Sequence, residues 1–294
     1  MANTILTPQI IANEALMVLR NNAVMANLVH RDYSSEFAAV GDTISIRKPA
    51  KFVANEYNGS TLTVQDATET SVPVKMDKHL DVSFAVTSKE LTLDIADFSK
   101  QLLVPAMQAF ADKVDTYLLA LEKDITNRIA HSSGAIAPAD IVDARAKLTN
   151  GAVPLADRRL VIGGTAEADL LKNAQFTEAD KVGDNGTALR EASLGRKYGF
   201  DIYVDQNVVK TTGETTNYVP SLAFHKNAFA LVTRALALPQ GAAHAAIVNY
   251  DGFALRVVYG YDMQKKTDTV SIDMLCGVKT LDKTLAAVIA DSRA

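Results

Sequence analysis

The stretch that most constrains this chain is Pro105–Ile129, which reads as one long amphipathic helix. Phe110, Val114, Tyr117, Leu118, Leu121, Ile125 and Ile129 recur in steps of three or four and share one face. Phe110, Val114, Tyr117, Leu121 and Ile125 are the expected core contacts of that helix. The opposite face carries Asp112, Lys113, Asp115, Glu122, Lys123, Asp124 and Arg128, with Asp124 and Arg128 spaced for an i,i+4 pair. Roughly seven turns would span about 37 Å, longer than a globular core usually asks of one helix. Such a helix is a strut, and its neighbours in sequence must supply the sheets it braces.

Those neighbours are strand-like on both sides. Asp42–Lys48 alternates, with Ile44 and Ile46 on one face, and His79–Ser88 alternates through Leu80, Val82, Phe84 and Val86. Between them lie Asn55–Thr70, polar and turn-prone at Asn58-Gly59, and a short strand at Val72–Val74. An extended hairpin with so polar a tip cannot stabilise itself in water and must rest on another surface. Upstream, Thr7-Pro8 caps a helix that runs to about Arg20, and Asn21-Asn22 ends it. Residues 135–250 alternate helix and strand as an α/β or α+β unit. Phe253–Tyr261 and Val270–Cys276 form a second long hairpin, and an apolar tail follows (Leu281, Leu285, Val288, Ile289).

Chemistry is sparse. The five histidines lack metal-ligand spacing, and a single cysteine excludes an intrachain disulfide and fits a reducing compartment. Asp180–Glu191 has calcium-loop length, but Val182 occupies a ligand position and Gly186 falls one place late. Gly163-Gly164 turns a strand into a helix without the remaining residues of a phosphate loop. Cys276 lies mid-strand, where a thiol is packed rather than nucleophilic. No catalytic residue, cofactor or metal ligand is expected. Thirty basic against 34 acidic side chains do not describe a protein built to neutralise phosphates, and Arg47, Lys48 and Lys51 form only a small contact patch. No run approaches the roughly 20 apolar residues of a membrane span, and the first 20 residues lack the basic start of a secretory signal.

Five segments, in order, resemble the major capsid proteins of tailed bacteriophages. They are Asn27–Pro49 (NLVHRDYSSEFAAVGDTISIRKP), Leu103–Leu119 (LVPAMQAFADKVDTYLL), Leu194–Val208 (LGRKYGFDIYVDQNV), Leu222–Leu231 (LAFHKNAFAL) and the hairpin Gly252–Gly277. The likeness extends over residues 3–280. It implies the α+β Hong Kong 97 capsid fold in a minimal form without a large insertion domain. The implied divisions are an N-terminal arm (1–40), an extended hairpin loop (41–75), a peripheral domain (76–134 and 251–278, spine helix about 105–131) and an axial domain (135–250 and 279–294).

The resemblance further implies self-assembly into hexamers and pentamers of an icosahedral shell. Double-stranded DNA would be enclosed without sequence preference, and a separate scaffolding protein and a portal would be partners. The location would be the virion, assembled in the cytoplasm of a bacterial host, with no membrane contact. Arg47, Lys48, Lys51 and Tyr57 near the loop, with Asp112, Lys113, Glu122, Lys123 and Arg128 on the helix, become candidates for contacts between subunits. A shell of the same architecture that packages protein cargo is the first alternative, and an α/β enzyme using the Gly163-Gly164 corner the second.

Overall fold

The computed structural model describes residues 8–31, 43–48, 70–87, 102–130, 135–177, 191–208, 211–212, 217–241, 244–250, 252–263 and 265–291, with isolated positions between 52 and 65. The chain opens with helices α1 (Pro8–Asn22) and α2 (Met25–Leu28) and strands β1 (Thr43–Lys48), β2 (Thr70–Lys75) and β3 (Lys78–Thr87). The spine helix α3 (Val104–Leu119) runs through a 3₁₀ turn (Ala120–Asp124) into β4 (Arg128–Ala130). Then come α4 (Pro138–Asn150), β5 (Arg158–Ile162), α5 (Gly164–Leu171), α6 (Ala174–Thr177), β6 (Arg196–Lys197), β7 (Phe200–Val204), β8 (Thr211–Thr212) and β9 (Asn217–His225). Five further strands close the order: β10 (Phe229–Arg234), β11 (His244–Tyr250), β12 (Phe253–Asp262), β13 (Thr267–Thr280) and β14 (Ala286–Asp291).

The described strands make three sheets. In the first, β13 is the long central strand, paired antiparallel with β12, β10 and β3, while β11 continues from β12. Phe84, Val82 and Leu80 stand opposite Val270, Ile272 and Met274, so the two alternating faces foreseen in the sequence meet in register. The tight turn from β11 to β12 uses Gly252 at φ +77°, where a side chain would also run into Arg31. The second sheet runs β4-β14-β9-β5-β7-β6, with β8 attached to β9. The third is the two-stranded β1–β2 hairpin, closed from Thr43↔Lys75 to Lys48↔Thr70.

Burial explains how the sheets are joined. Along α3, Ala106, Met107, Phe110, Ala111, Val114 and Leu118 point into one core with α1, α2 and the first sheet. The second sheet is apolar on both faces. Leu222, Phe224 and Val288 meet that first core, while Ala223, Ala287 and Ile289 alternate to a second one under α4, α5 and α6. The hairpin base is fixed by Ile46 and Val74, which pack on Ala230, Val232 and Leu281. At its inner end β2 passes β13 so closely that a Cβ on Gly277 would lie 2.5 Å from the Lys75 carbonyl oxygen. Gly277→Ala should therefore cost about 1–3 kcal/mol, as other overpacked sites do. Thermal denaturation should show a Tm lower by several degrees; an unchanged Tm would mean the two strands separate freely.

Two expectations are corrected. The spine helix ends at Leu119, not near 129–131, so it is 16 residues and about 24 Å long. The apolar steps persist past its end, because Ile125 is buried in the first core and Ile129 in the second. The chain leaves the helix because Arg128–Ala130 pairs parallel with Val288–Ala290, and Val288 N–H donates to the Asn127 carbonyl at 2.8 Å. A strand partner distant in sequence has overridden local helix preference. Residues 8–31, within the expected arm, lie against the body of the subunit. Ile11, Ala15, Leu16 and Leu19 are buried on this subunit's own core, and His30 exchanges backbone hydrogen bonds with Phe229 and Leu231.

Second, the expected axial range 135–250 is split, since β10 and β11 belong to the first sheet. The apolar tail packs back onto the body as an interior strand, β14, lying between β4 and β9. Pro105 does sit in the first turn of α3, following a wide π-type turn at Leu102-Leu103.

Candidate assembly surfaces

Of the residues read as one charged face, only Asp112, Lys113 and Lys123 are exposed on α3 and its 3₁₀ extension in this subunit. Tyr117 is half-buried between two cations, with Lys113 Nζ 5.4 Å and Lys78 Nζ 5.7 Å from its ring centroid. Leu121 is half-buried and packs against the first core, which buries Phe110, Val114 and Ile125 outright. Lys78 itself forms an ion pair with Asp77 at 3.0 Å. Asp112 accepts a hydrogen bond from the Asn207 side chain at 3.4 Å. The outer face of the spine is thus a mixed-charge strip bordered by the loop after β7.

Glu122 and Arg128 depart from that picture. Glu122 is buried and pairs with Arg128 at 3.2 Å across the turn that follows the helix. The foreseen Asp124–Arg128 pair is not formed; Asp124 instead accepts from the Thr280 hydroxyl at 2.9 Å, tying the turn to the end of β13. Both differences follow from the early end of the helix, which carries 124 and 128 off a common face. The side chains of Arg47 and Lys48, and Lys51 and Tyr57 entirely, lie outside the described residues. At the hairpin tip the described Phe52 and Val64 are both exposed.

Two buried ionic sites hold the body together. Arg256 grips Asp273 through two nitrogens, Nε to Oδ1 at 2.9 Å and Nη2 to Oδ2, and donates its third nitrogen to the Ala237 carbonyl. Arg158 is buried without a carboxylate partner in its bonds; it donates to the Pro154 and Val153 carbonyls and the Thr149 hydroxyl where α4 ends. Cys276 is buried in β13, and burial pushes its thiol up to about 12, so at neutral pH it is a protonated packing group.

Asp115, expected on the polar face, is 1% exposed. Its Oδ2 accepts from Val24 N–H at 2.7 Å and its Oδ1 from Ala26 N–H at 2.8 Å, so a carboxylate of the spine caps the start of α2. The other end of α2 is held from the second sheet, where Arg159 donates to the Leu28 carbonyl. The signal was present in the sequence, since Asp115 falls four residues after Ala111 and three before Leu118 on the buried stripe. Asp205, in the loop after β7, is equally buried and was not singled out at all.

The remaining expectations concern chemistry. Gly163 is buried at its corner, and Val208 fills the space there, its Cβ 3.2 Å from where a Gly163 side chain would begin. Among the described residues no group of three or more His, Cys, Asp or Glu side chains is placed to hold a metal ion. Most of Asp180–Glu191 lies outside the described residues. No described helix is long and apolar enough to cross a membrane.

No protein-family model matches the chain, and no curated protein matches it in sequence. Solved structures do match, over nearly the whole length. The structure of Mycobacterium phage Che8 superposes with a TM-score of 0.65 at 21% identity, covering 92% of this chain and 92% of that one. The capsid of Ralstonia phage GP4 matches with a TM-score of 0.62 at 13% identity, over 91% of this chain and 87% of that one. A virus-like particle from Pyrococcus furiosus gives 0.53 at 13% identity, over 96% and 98%. At these identities the likeness establishes the fold. The chain has the α+β architecture of capsid shell proteins, the Hong Kong 97 type, with spine helix, extended hairpin and two sheet-based bodies.

Proposed function

We propose that this chain is the major capsid protein of a tailed phage, a structural subunit that assembles into the icosahedral head shell around double-stranded DNA, and not an enzyme. The observation that supports this most is coverage: the capsid-type fold accounts for about nine-tenths of this chain and of its phage counterparts together. Assembly into hexamers and pentamers needs unlike surfaces on the two sides of a subunit. The polar hairpin of residues 41–75 is one, and the strip of Asp112, Lys113 and Lys123 is another; Arg47, Lys48, Lys51 and Tyr57 are assigned to the hairpin's contact with a neighbour. A scaffolding protein and a portal complete the assembly in the bacterial cytoplasm, and the DNA is held without sequence preference. Sheet membership favours a peripheral body of α1–α3, β3 and β10–β13, and an axial body of β4–β9, α4–α6 and β14.

Negative-stain electron microscopy of the purified chain, alone and co-expressed with its scaffold, is the direct test. Closed shells are expected. A discrete small oligomer under both conditions would remove the assignment. A second reading, a shell of the same architecture with protein cargo, has less support, since most of the matching solved structures come from phages. Nuclease-protected DNA inside native particles decides for the first, and a co-purified protein for the second.

A further inference from the structure

We propose that the cleft bounded by the end of α1, the outer side of α3 and the loop after β7 binds a hard divalent cation of the calcium class, with Asp205 and Asp112 as its charged ligands. The inference concerns the subunit itself and holds whatever a shell encloses.

The cleft has a volume of about 410 Å³. Among the described residues that line it are the carboxylates of Asp112 and Asp205, the carboxamides of Asn22, Gln108, Gln206 and Asn207, and no basic side chain. Asp205 is 1% exposed; its Oδ1 accepts the Asn207 N–H at 2.8 Å, while its Oδ2 has no hydrogen-bond partner among the described residues. A buried carboxylate oxygen with neither donor nor cation is costly, and such an atom at the wall of a polar cleft points to a ligand. Asp112 gives its Oδ1 to the Asn207 side chain at 3.4 Å. Asn207 thus holds one oxygen of each carboxylate and leaves the second oxygen of each to a cation. Asn22 spends its amide nitrogen on the Val18 carbonyl at 2.8 Å, which leaves its Oδ1 as a neutral donor at the same rim. Since α1 ends at Asn22, the carbonyls of its last turn add partial negative charge there.

The donor set selects the ion. It offers oxygen alone, without the thiolate or imidazole that softer metals take. Calcium accepts an irregular shell of carboxylate, carboxamide and water oxygens, whereas magnesium asks for a near-ideal octahedron. Asp115 lies behind the cleft and is not a ligand, because both its oxygens already accept the amides of Val24 and Ala26. It does share the field: the negative charge of Asp205 acts on Asp115, and that of Asp112 acts on Asp205. A cation between Asp205 and Asp112 relieves this crowding of like charge. It also ties the loop after β7, which belongs to the second sheet, to the two long helices packed on the first.

The test is calorimetric titration of the full-length, chelator-stripped chain with CaCl2 at constant ionic strength, beside thermal denaturation in EDTA and in excess CaCl2. One ion per chain should bind with a Kd of roughly 0.1–1 mM, the range of calcium sites with few charged ligands. Tm should be several degrees higher in calcium than in EDTA. Asp205→Asn keeps the oxygen that meets the Asn207 N–H and removes the buried charge; Asp112→Asn removes the charge at the exposed rim. Each should weaken binding at least about tenfold and take away the calcium shift in Tm. An Asp205 that served only to hold its loop would lower Tm when replaced and leave the calcium shift in place, against the proposal. No saturable binding in the wild type, or an unchanged Kd in Asp205→Asn, also overturns it. If Asp205→Asn does not fold, an unchanged Kd in Asp112→Asn overturns it instead.

Discussion

Val114→Asp should leave no folded subunit. Val114 is fully buried on the inner stripe of α3, between Phe110 and Leu118, in the core shared by α1, α2 and the first sheet. Losing the valine forfeits about 1.5–3 kcal/mol of apolar burial. Placing an unpaired carboxylate in that core adds several kcal/mol more, whether it stays charged or takes up a proton. The sum approaches the about 5–15 kcal/mol that hold a typical domain together. Circular dichroism should show loss of the cooperative unfolding transition, or the protein should be recovered only as aggregate. Asp115, the next residue, makes the contrast: it is also buried, yet both its oxygens accept backbone amides. Lys113→Ala, on the exposed side of the same turn, should change stability by no more than about 0.5 kcal/mol. A soluble, shell-forming Val114→Asp protein would overturn the assignment of the inner face.

Deleting Asn55–Thr70 should have the opposite character, a folded subunit that forms no shells. The hairpin is held at its base, where Ile46 and Val74 pack on Ala230, Val232 and Leu281. Five of the six residue pairs between β1 and β2 survive the deletion, since only Lys48↔Thr70 is lost. Shortening the connection changes loop-closure entropy by only about 1 kcal/mol. Tm should therefore stay near the wild-type value while electron microscopy shows no closed particles. Normal shells from the deleted protein would mean that the hairpin tip has no part in the contact between neighbours.

How much of this was legible depended on whether local periodicity and tertiary pairing agreed. The strands β3, β12 and β13 were readable because each has one face on a core and one face less covered, which writes alternation into Leu80–Phe84 and Val270–Cys276. The start of α3 was readable from Pro105, which tolerates the first turn of a helix and little else. Its end was not, because no Gly or Pro marks it and Ile125 and Ile129 keep helical spacing while serving two different cores. Strand β14 was hidden for the reverse reason. With both faces buried, Ala286–Ile289 is a continuous apolar run and carries no alternation to read. Among the candidate contacts, Asp112, Lys113 and Lys123 lie where helical geometry puts them. Glu122 does not, since its partner Arg128 sits on a strand set by β14, which no local window contains.

The position of β14 also bears on how the protein is made. Residues 286–291 fill the gap between β4 and β9, so the second sheet has an open slot until they arrive. On a ribosome, nearly the entire preceding chain is exposed before that slot can be filled, and contacts so distant in sequence form slowly. A nascent chain stopped short of Ala286 would present two unsatisfied strand edges, a template for aggregation rather than for ordered growth. Closure of the second sheet thus waits on residues 286–291, the last of the described strands in chain order.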